Sequence, residues 1–140
     1  MLTEQGPLRV LVVDDNADAA QVLTLLVGLW GYEARAAMDG FEALSEANEF
    51  HPDVILCDLA MPGLDGCTVA HSLRRLPAHA GTLLVAVTAH GDDENRRKAA
   101  RSGFQAHFVK PVEADDLHRL LEARAADLQD SGGHQRESRF

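Results

Sequence analysis

Short runs of aliphatic residues alternate along this chain with longer stretches in which apolar residues recur at three- and four-residue intervals. The first pattern predicts buried strands and the second amphipathic helices. Arg9 to Val13 (RVLVV) reads as a buried strand ending at two acids. From about Asn16 to Trp30, the residues Ala19, Leu23, Leu26, Val27 and Trp30 share one helical face, and Gly31 stops the helix as a glycine past the last turn commonly does. A weaker strand, Glu33 to Ala37, leads into a helix from about Gly40 to Glu49. Val54 to Cys57 is again strongly apolar and again ends at an acid, Asp58. The turn-rich run Met61-Pro62-Gly63-Leu64-Asp65-Gly66 precedes a helix to about Leu76.

Leu83 to Val87 is the third strongly apolar strand, closed by Thr88. The helix expected from Asp92 to Ser102 is polar, with Arg96, Arg97, Lys98 and Arg101. Its packing stripe is mainly alanine, so it is expected to be the least firmly anchored helix. Gly103 ends it, Ala106 to Val109 forms a short last strand, and a closing helix starting near Pro111 carries Leu117, Leu120, Leu121 and Leu128 at helical spacing. One domain over 8–128 is expected, with a disordered tail over 129–140, where the run from Ser131 (SGGHQRESRF) has no periodicity.

Continuous apolar strands alternating with helices imply an α/β fold with a parallel sheet covered on both faces. In such sheets ligands bind outside the carboxyl ends of the strands. Polar residues with chemical potential stand at those ends: Asp14 and Asp15 after the first run, Asp58 after the third, Thr88 after the fourth and Lys110 after the last.

Composition narrows the partners more than the fold. The 140 residues carry a formal net charge of −9, which argues against unspecific binding to nucleic acid or to an anionic membrane, so neither is expected as a direct partner. With 46% hydrophobic and 25% charged residues the chain has a globular composition and enough length to bury a core. Cys57 and Cys67 form no CxxC pair and read as reduced packing residues, no apolar run is long enough to span a bilayer, and residues 1–7 lack a signal-peptide pattern. A cytoplasmic location is the expectation.

Three carboxylates at one sheet edge repel unless a cation sits among them. Mg²⁺ suits such a place because it takes oxygen ligands, few carboxylates and several waters. Asp15 and Asp58 are candidates for direct ligation, Asp14 for ligation through water, and the backbone carbonyl of Ala60 for completing the shell; Mn²⁺ is the expected substitute. A carboxylate beside such a metal can act as a nucleophile toward phosphorus, with Thr88 and Lys110 holding the phosphoryl oxygens.

The pattern Asp14-Asp15-Asn16, then Asp58-Leu59-Ala60-Met61-Pro62-Gly63-Leu64-Asp65-Gly66, then Thr88-Ala89, then Lys110-Pro111 resembles the response-regulator receiver domains of bacterial two-component systems. Each piece alone is weak; all four in order at strand ends are specific. The resemblance covers roughly Leu8 to Ala126 and implies a doubly wound, flavodoxin-like, five-stranded parallel sheet of order 2-1-3-4-5 in a three-layer sandwich. It implies a phosphoacceptor signalling domain, not an enzyme acting on outside substrates. In it Asp58 is the phosphoacceptor, Asp14 and Asp15 are metal-binding acids, Thr88 is the switch hydroxyl and Lys110 the phosphate-contacting base, with a cis peptide before Pro111.

His107 stands three before Lys110, where the family usually has an aromatic residue, and is expected to turn inward as Thr88 moves, with a possible pH bias. Ala60 and His90 match positions that tune the lifetime of the aspartyl phosphate, and they pull in different directions. The implied phosphodonor is a histidine kinase or a histidine phosphotransfer protein. A downstream protein, or a second copy of the chain, is expected on the face formed by the fourth helix, last strand and last helix. The stretch from Gly103 to Pro111 also resembles receivers attached to hybrid histidine kinases, so a stand-alone regulator and a piece of a larger protein both remain open.

Simpler readings compete residue by residue. Asp14, Asp15 and Asn16 suit an N-cap, as does Asp65, and a lone strand-end threonine or lysine is ordinarily structural. The histidines His51, His71, His79, His118 and His134 are expected at the surface, and Trp30 in the core. A metal-dependent aspartyl phosphatase is disfavoured because Ala60 stands where its second acid is required. A flavin site is disfavoured by the acidic first loop. A pure binding module with structural acids is the remaining rival.

Overall fold

The computed structural model describes residues 2–3 and 6–132, with side chains over 6–130. Five strands form one parallel sheet: β1 (Arg9–Val13), β2 (Glu33–Ala37), β3 (Val54–Asp58), β4 (Leu83–Thr88) and β5 (Ala106–Val109). Their spatial order is β2-β1-β3-β4-β5, the expected 2-1-3-4-5. A two-residue antiparallel pairing, Leu2–Thr3 with Gly6–Pro7, precedes β1.

Alternation along each strand divides the core in two. Leu11, Val13, Ile55, Cys57, Leu84 and Ala86 point to one side, where α2 (Gly40–Phe50), α3 (Gly66–Arg74) and α4 (Asp93–Ser102) supply Ala43, Ala47, Val69, Leu73 and Ala99. Val10, Val12, Val54, Leu56, Val85 and Val87 point to the other, against α1 (Ala17–Leu29) and α5 (Ala114–Gly132) through Ala20, Val27, Leu117 and Leu121. The central strands are apolar at nearly every position because both their faces are covered.

Asparagine and aspartate side chains start the first four helices. Asn16, Asp39, Asp65 and Asp92 accept hydrogen bonds from the N–H groups of Ala19, Glu42, Thr68 and Asn95, satisfying donors that have no partner inside the helix. Asp92 is therefore a cap and not part of the helix. The last helix starts later than expected: the N–H of Leu117 donates to the carbonyl of Glu113, so its ladder begins beyond Pro111. At the other end α5 continues through 129–132, into the segment expected as a tail; residues 133–140 of that segment lie outside the described residues.

Two histidines depart from the expected surface placement. His118 is half-buried and stacks on Trp30, with ring centroids 4.1 Å apart and planes 3° from parallel. His79 is only 1% exposed, because its ring closes the core beneath a short 3₁₀ turn and binds Asn48 Oδ1 through Nε2 at 3.1 Å. His51 and His71 are exposed, and His134 lies outside the described residues. Cys57 is buried, with its thiol pKa pushed up by burial; Cys67 is half-buried and both are free.

Burial, then the neighbouring His51, lowers the pKa of His79 below 6.5. Above that pH the ring is neutral in folded and unfolded chains alike. Below it the unfolded chain takes up the proton first, so stability falls as pH drops from 6.5 toward the folded-state value. Urea denaturation of the wild type and a His79→Gln variant at neutral and mildly acidic pH is expected to show a smaller acid loss in the variant. Equal losses would show that another group carries the acid sensitivity.

Candidate functional site

The carboxyl ends of the strands bring the acidic residues together. Asp14 follows β1, where its N–H donates to the carbonyl of Ala37 at 3.1 Å, and one carboxylate oxygen accepts the N–H of Asn16 at 2.9 Å. Asp58 is the last residue of β3, and its Oδ1 accepts the N–H of Ala60 at 3.1 Å. Both acids are buried, with Asp14 at 3% and Asp58 at 6% exposure, whereas Asp15 is exposed. Ligand oxygens from Asp14, Asp15 and Asp58 all lie within 4.8 Å of one another.

Among the described residues, Lys110 supplies the one ammonium in contact with these acids. Its Nζ donates to Asp14 Oδ2 at 3.2 Å and to Asp58 Oδ2 at 3.1 Å. Burial disfavours the charge on Lys110, but Asp58 and then Asp14 outweigh it and hold the pKa above the ordinary lysine value. Asp58 moves up from the usual carboxylate range because desolvation exceeds the opposing hydrogen bonds from Lys110 and Ala60, and Asp14 adds repulsion. The Lys110 N–H donates to the carbonyl of Thr88 at 2.8 Å, and the Lys110–Pro111 peptide is cis. Thr88 closes β4 at 2% exposure, and its Oγ1 accepts the N–H of His90 at 3.1 Å.

The sheet edge thus gathers Asp14, Asp15, Asp58 and Lys110, with Thr88 ending the adjacent strand. Ala60 and His90 stand exposed just beyond Asp58 and Thr88. His107 is apart from this group. It pairs with Ala86 in the middle of β4 and faces α4, with both ring nitrogens buried and without a hydrogen-bond partner among the described residues. Its pKa is lowered by burial and then by Arg96.

An oxygen-only donor set with three carboxylates and a single ammonium retains excess negative charge, so its chemistry fits a small hard dication. The same set offers a nucleophile: the buried Asp58 carboxylate, with a cation already oriented on one of its oxygens.

Several contributors escaped the pattern reading. Gly66 follows a turn signal, but its role is spatial: a Cβ there would lie 2.4 Å from the backbone oxygen of Asp58 and 2.9 Å from Leu59 Cα. Gly91 is similarly tight, with Val109 Cγ2 2.4 Å from the corresponding position. On α1, Val22, Leu25 and Leu29 are 62%, 61% and 83% exposed, although they are apolar. Val22 also lines a cavity of about 610 Å³ that runs from Asp14 and Lys110 past Ala19 and Leu23 to Pro111 and Val112.

Comparison with known proteins agrees with this geometry. The family profile described as "Response regulator receiver domain" matches residues 10–122. The chain is 34% identical over 116 residues to the DNA-binding response regulator MtrA of Mycolicibacterium paratuberculosis, covering 83% of this chain and 50% of that protein. It is 33% identical over 121 residues to the regulatory protein AtoC of Escherichia coli, covering 86% of this chain and 26% of that one. The chain therefore spans half the length of the first of these relatives and about a quarter of the second. Among solved structures it is similar to the receiver domain of the Francisella response regulator 1452, with 30% identity, a TM-score of 0.78 and coverage of 87% of this chain and 98% of that one. It is also similar to the Vibrio cholerae chemotaxis protein CheY4, with 28% identity, a TM-score of 0.80 and coverage of 84% and 98%.

Because Gly66 backs directly onto Asp58, Gly66→Ala is expected to displace the strand end. The cost is that of an overpacked site, about 1–3 kcal/mol. Urea denaturation should show that loss. Unchanged stability would mean that the backbone gives way freely at this point.

Proposed function

The chain belongs to the response regulator receiver domains, the phosphoacceptor signalling modules of two-component systems, and from that membership we propose that Asp58 is its phosphoacceptor. The observation that carries this reading is the Lys110 ammonium bridging the buried Asp14 and Asp58 carboxylates within the three-acid cluster. An Asp58 carboxylate oxygen attacks phosphorus, and the bond from phosphorus to the donor's imidazole nitrogen breaks as the new P–O bond forms. The donor is a histidine kinase or a histidine phosphotransfer protein.

Asp14, Asp15 and Asp58, with the Ala60 backbone carbonyl, would hold Mg²⁺ or Mn²⁺, which neutralises charge on the phosphoryl oxygens. Lys110 then turns to those oxygens, and the Thr88 hydroxyl donates to them. The apolar stripe of Val22, Leu25 and Leu29 opens beside the site and suits a helix of the phosphodonor. The alternative of structural acids in a passive binding module leaves the Lys110 bridge and the excess negative charge without a purpose.

Readout rests on a population shift. Phosphoryl contacts draw in Thr88, His107 re-orients, and the face made by α4, β5 and α5 changes its affinity for a downstream protein or for a second copy of the chain. The domain catalyses only its own phosphorylation and dephosphorylation, with Ala60 and His90 setting the lifetime.

Intact mass after incubation with acetyl phosphate and Mg²⁺ is expected to show one phosphoryl adduct on the wild type and none on Asp58→Asn or without the metal. An adduct that survives Asp58→Asn would move the acceptor elsewhere, and no adduct together with no beryllofluoride complex would leave the passive module. Lys110 competes with a dication for the same two carboxylates. Lys110→Met is therefore expected to bind Mg²⁺ more tightly by calorimetry while labelling more slowly. Weaker Mg²⁺ binding would show that the ammonium organises the acids rather than competing for them.

A further inference from the structure

The cavity of about 610 Å³ beside Asp14 and Lys110 opens between α1 and the turn after β5. Its apolar walls are Ala19, Val22 and Leu23 of α1, Val87 of β4, and Pro111 and Val112 beyond β5. That size lies within the ~300–1,000 Å³ of pockets that take whole small molecules, and apolar walls with a few polar groups are usual for them. Val22 is 62% exposed, so the cavity leaves apolar surface in water that an apolar ligand would cover. A partner helix, about 10 Å across with its side chains, would ride on the outer stripe of α1 rather than enter.

Asp14, Asn16, Asp18 and Lys110 complete the lining. Asn16 caps α1 by accepting the N–H of Ala19, Asp14 accepts the N–H of Asn16, and Lys110 donates to Asp14 and Asp58. Asp18 differs from these: it is exposed and has no hydrogen bond or ion pair among the described residues. The carboxylates of Asp14, Asp15, Asp18 and Asp58 outnumber the Lys110 ammonium. An anionic ligand would meet that excess charge, and the ammonium it needs is already shared between two carboxylates. A cationic ligand is drawn in by the same charge and pairs with Asp18.

We propose that this cavity binds a small apolar amine, with its body against Val22, Leu23 and Val112 and its ammonium at Asp18. Such a ligand regulates the acids beside it. A bound ammonium and a dication held by Asp14, Asp15 and Asp58 repel each other, so each weakens the binding of the other by the same factor. This regulatory half rests on the reading of those acids as the metal centre, whereas the amine site itself does not.

The test is titration of the chain with tryptamine, followed by amide NMR spectra in the absence of a dication, with indoleacetate and tryptophol as the anionic and neutral counterparts. Tryptamine is expected to shift the amides of residues 18–23, Lys110 and Val112 saturably, with a Kd on the order of 1 mM for so small a ligand. Both counterparts should bind about fivefold more weakly or worse, the upper range of an exposed ion pair. Asp18→Asn and Val22→Lys change exposed positions of α1, and each is expected to weaken tryptamine binding by a similar factor, with circular dichroism checking the fold. Mg²⁺ is then titrated by calorimetry with and without saturating tryptamine, and its affinity is expected to fall severalfold when the amine is present.

Equal binding of the three ligands, preference for indoleacetate, no saturable shift, shifts confined to other parts of the chain, or full affinity in both variants would each overturn the amine site. Mg²⁺ that binds equally well with and without tryptamine would overturn the regulatory role. No Mg²⁺ binding in either condition would instead overturn the metal-centre reading, and the amine site would stand on the tryptamine titration.

Discussion

Like charges held together at one edge of the sheet are the constraint around which this molecule is organised. Asp14 and Asp58 are buried side by side, and each would repel the other without the ammonium of Lys110 between them. That ammonium comes from the far end of the sequence, so the arrangement exists only when β1, β3 and β5 are in register. The parallel ladder sets the spacing, with Val13 opposite Cys57, Cys57 opposite Ala86, and Thr88 opposite Val109. The two apolar layers hold that ladder, and the chemistry at its edge depends on both. A site balanced by one cation responds strongly to any added charge, which is what a switch requires.

Much of this was readable in the residues because parallel strands buried on both faces write themselves as unbroken aliphatic runs. The runs before Asp14, Asp58 and Thr88 placed those side chains at strand ends, and the structure brings the carboxylates and Lys110 together there. The unread parts depend on contacts between segments distant in sequence. Nothing near His79 reports that Asn48, thirty-one positions away, will receive its ring inside the core. Gly66 looks like a turn residue, and only three dimensions show the Asp58 carbonyl pressed behind it. The start of α5 was misplaced because Pro111 satisfies the rule for a first helical residue while belonging to the turn before the helix.

Arg74 shows how the end of the sheet opposite the site is tied. Its guanidinium donates to the carbonyls of His79, Ala80 and Gly103 and to the side chain of Gln105, whose oxygen also receives the N–H of Leu84. One side chain thus joins the end of α3, the last turn of α4 and the approach to β5. The other end of α4 is capped by Asp92, a few residues beyond Thr88, and Ala99 is the buried residue of the helix. Anchored at its carboxyl end and lightly packed along its length, α4 is mechanically suited to tilt rather than to translate.

The stack of Trp30 on His118 carries a consequence of a different kind. Trp30 is the chain's single tryptophan, and it sits where α1 ends against α5, with an imidazole plane lying over it. Its ultraviolet emission is therefore an intrinsic reporter of the seam between the first and last helices. Events confined to α4 leave that signal unchanged, whereas anything that loosens the seam alters its brightness.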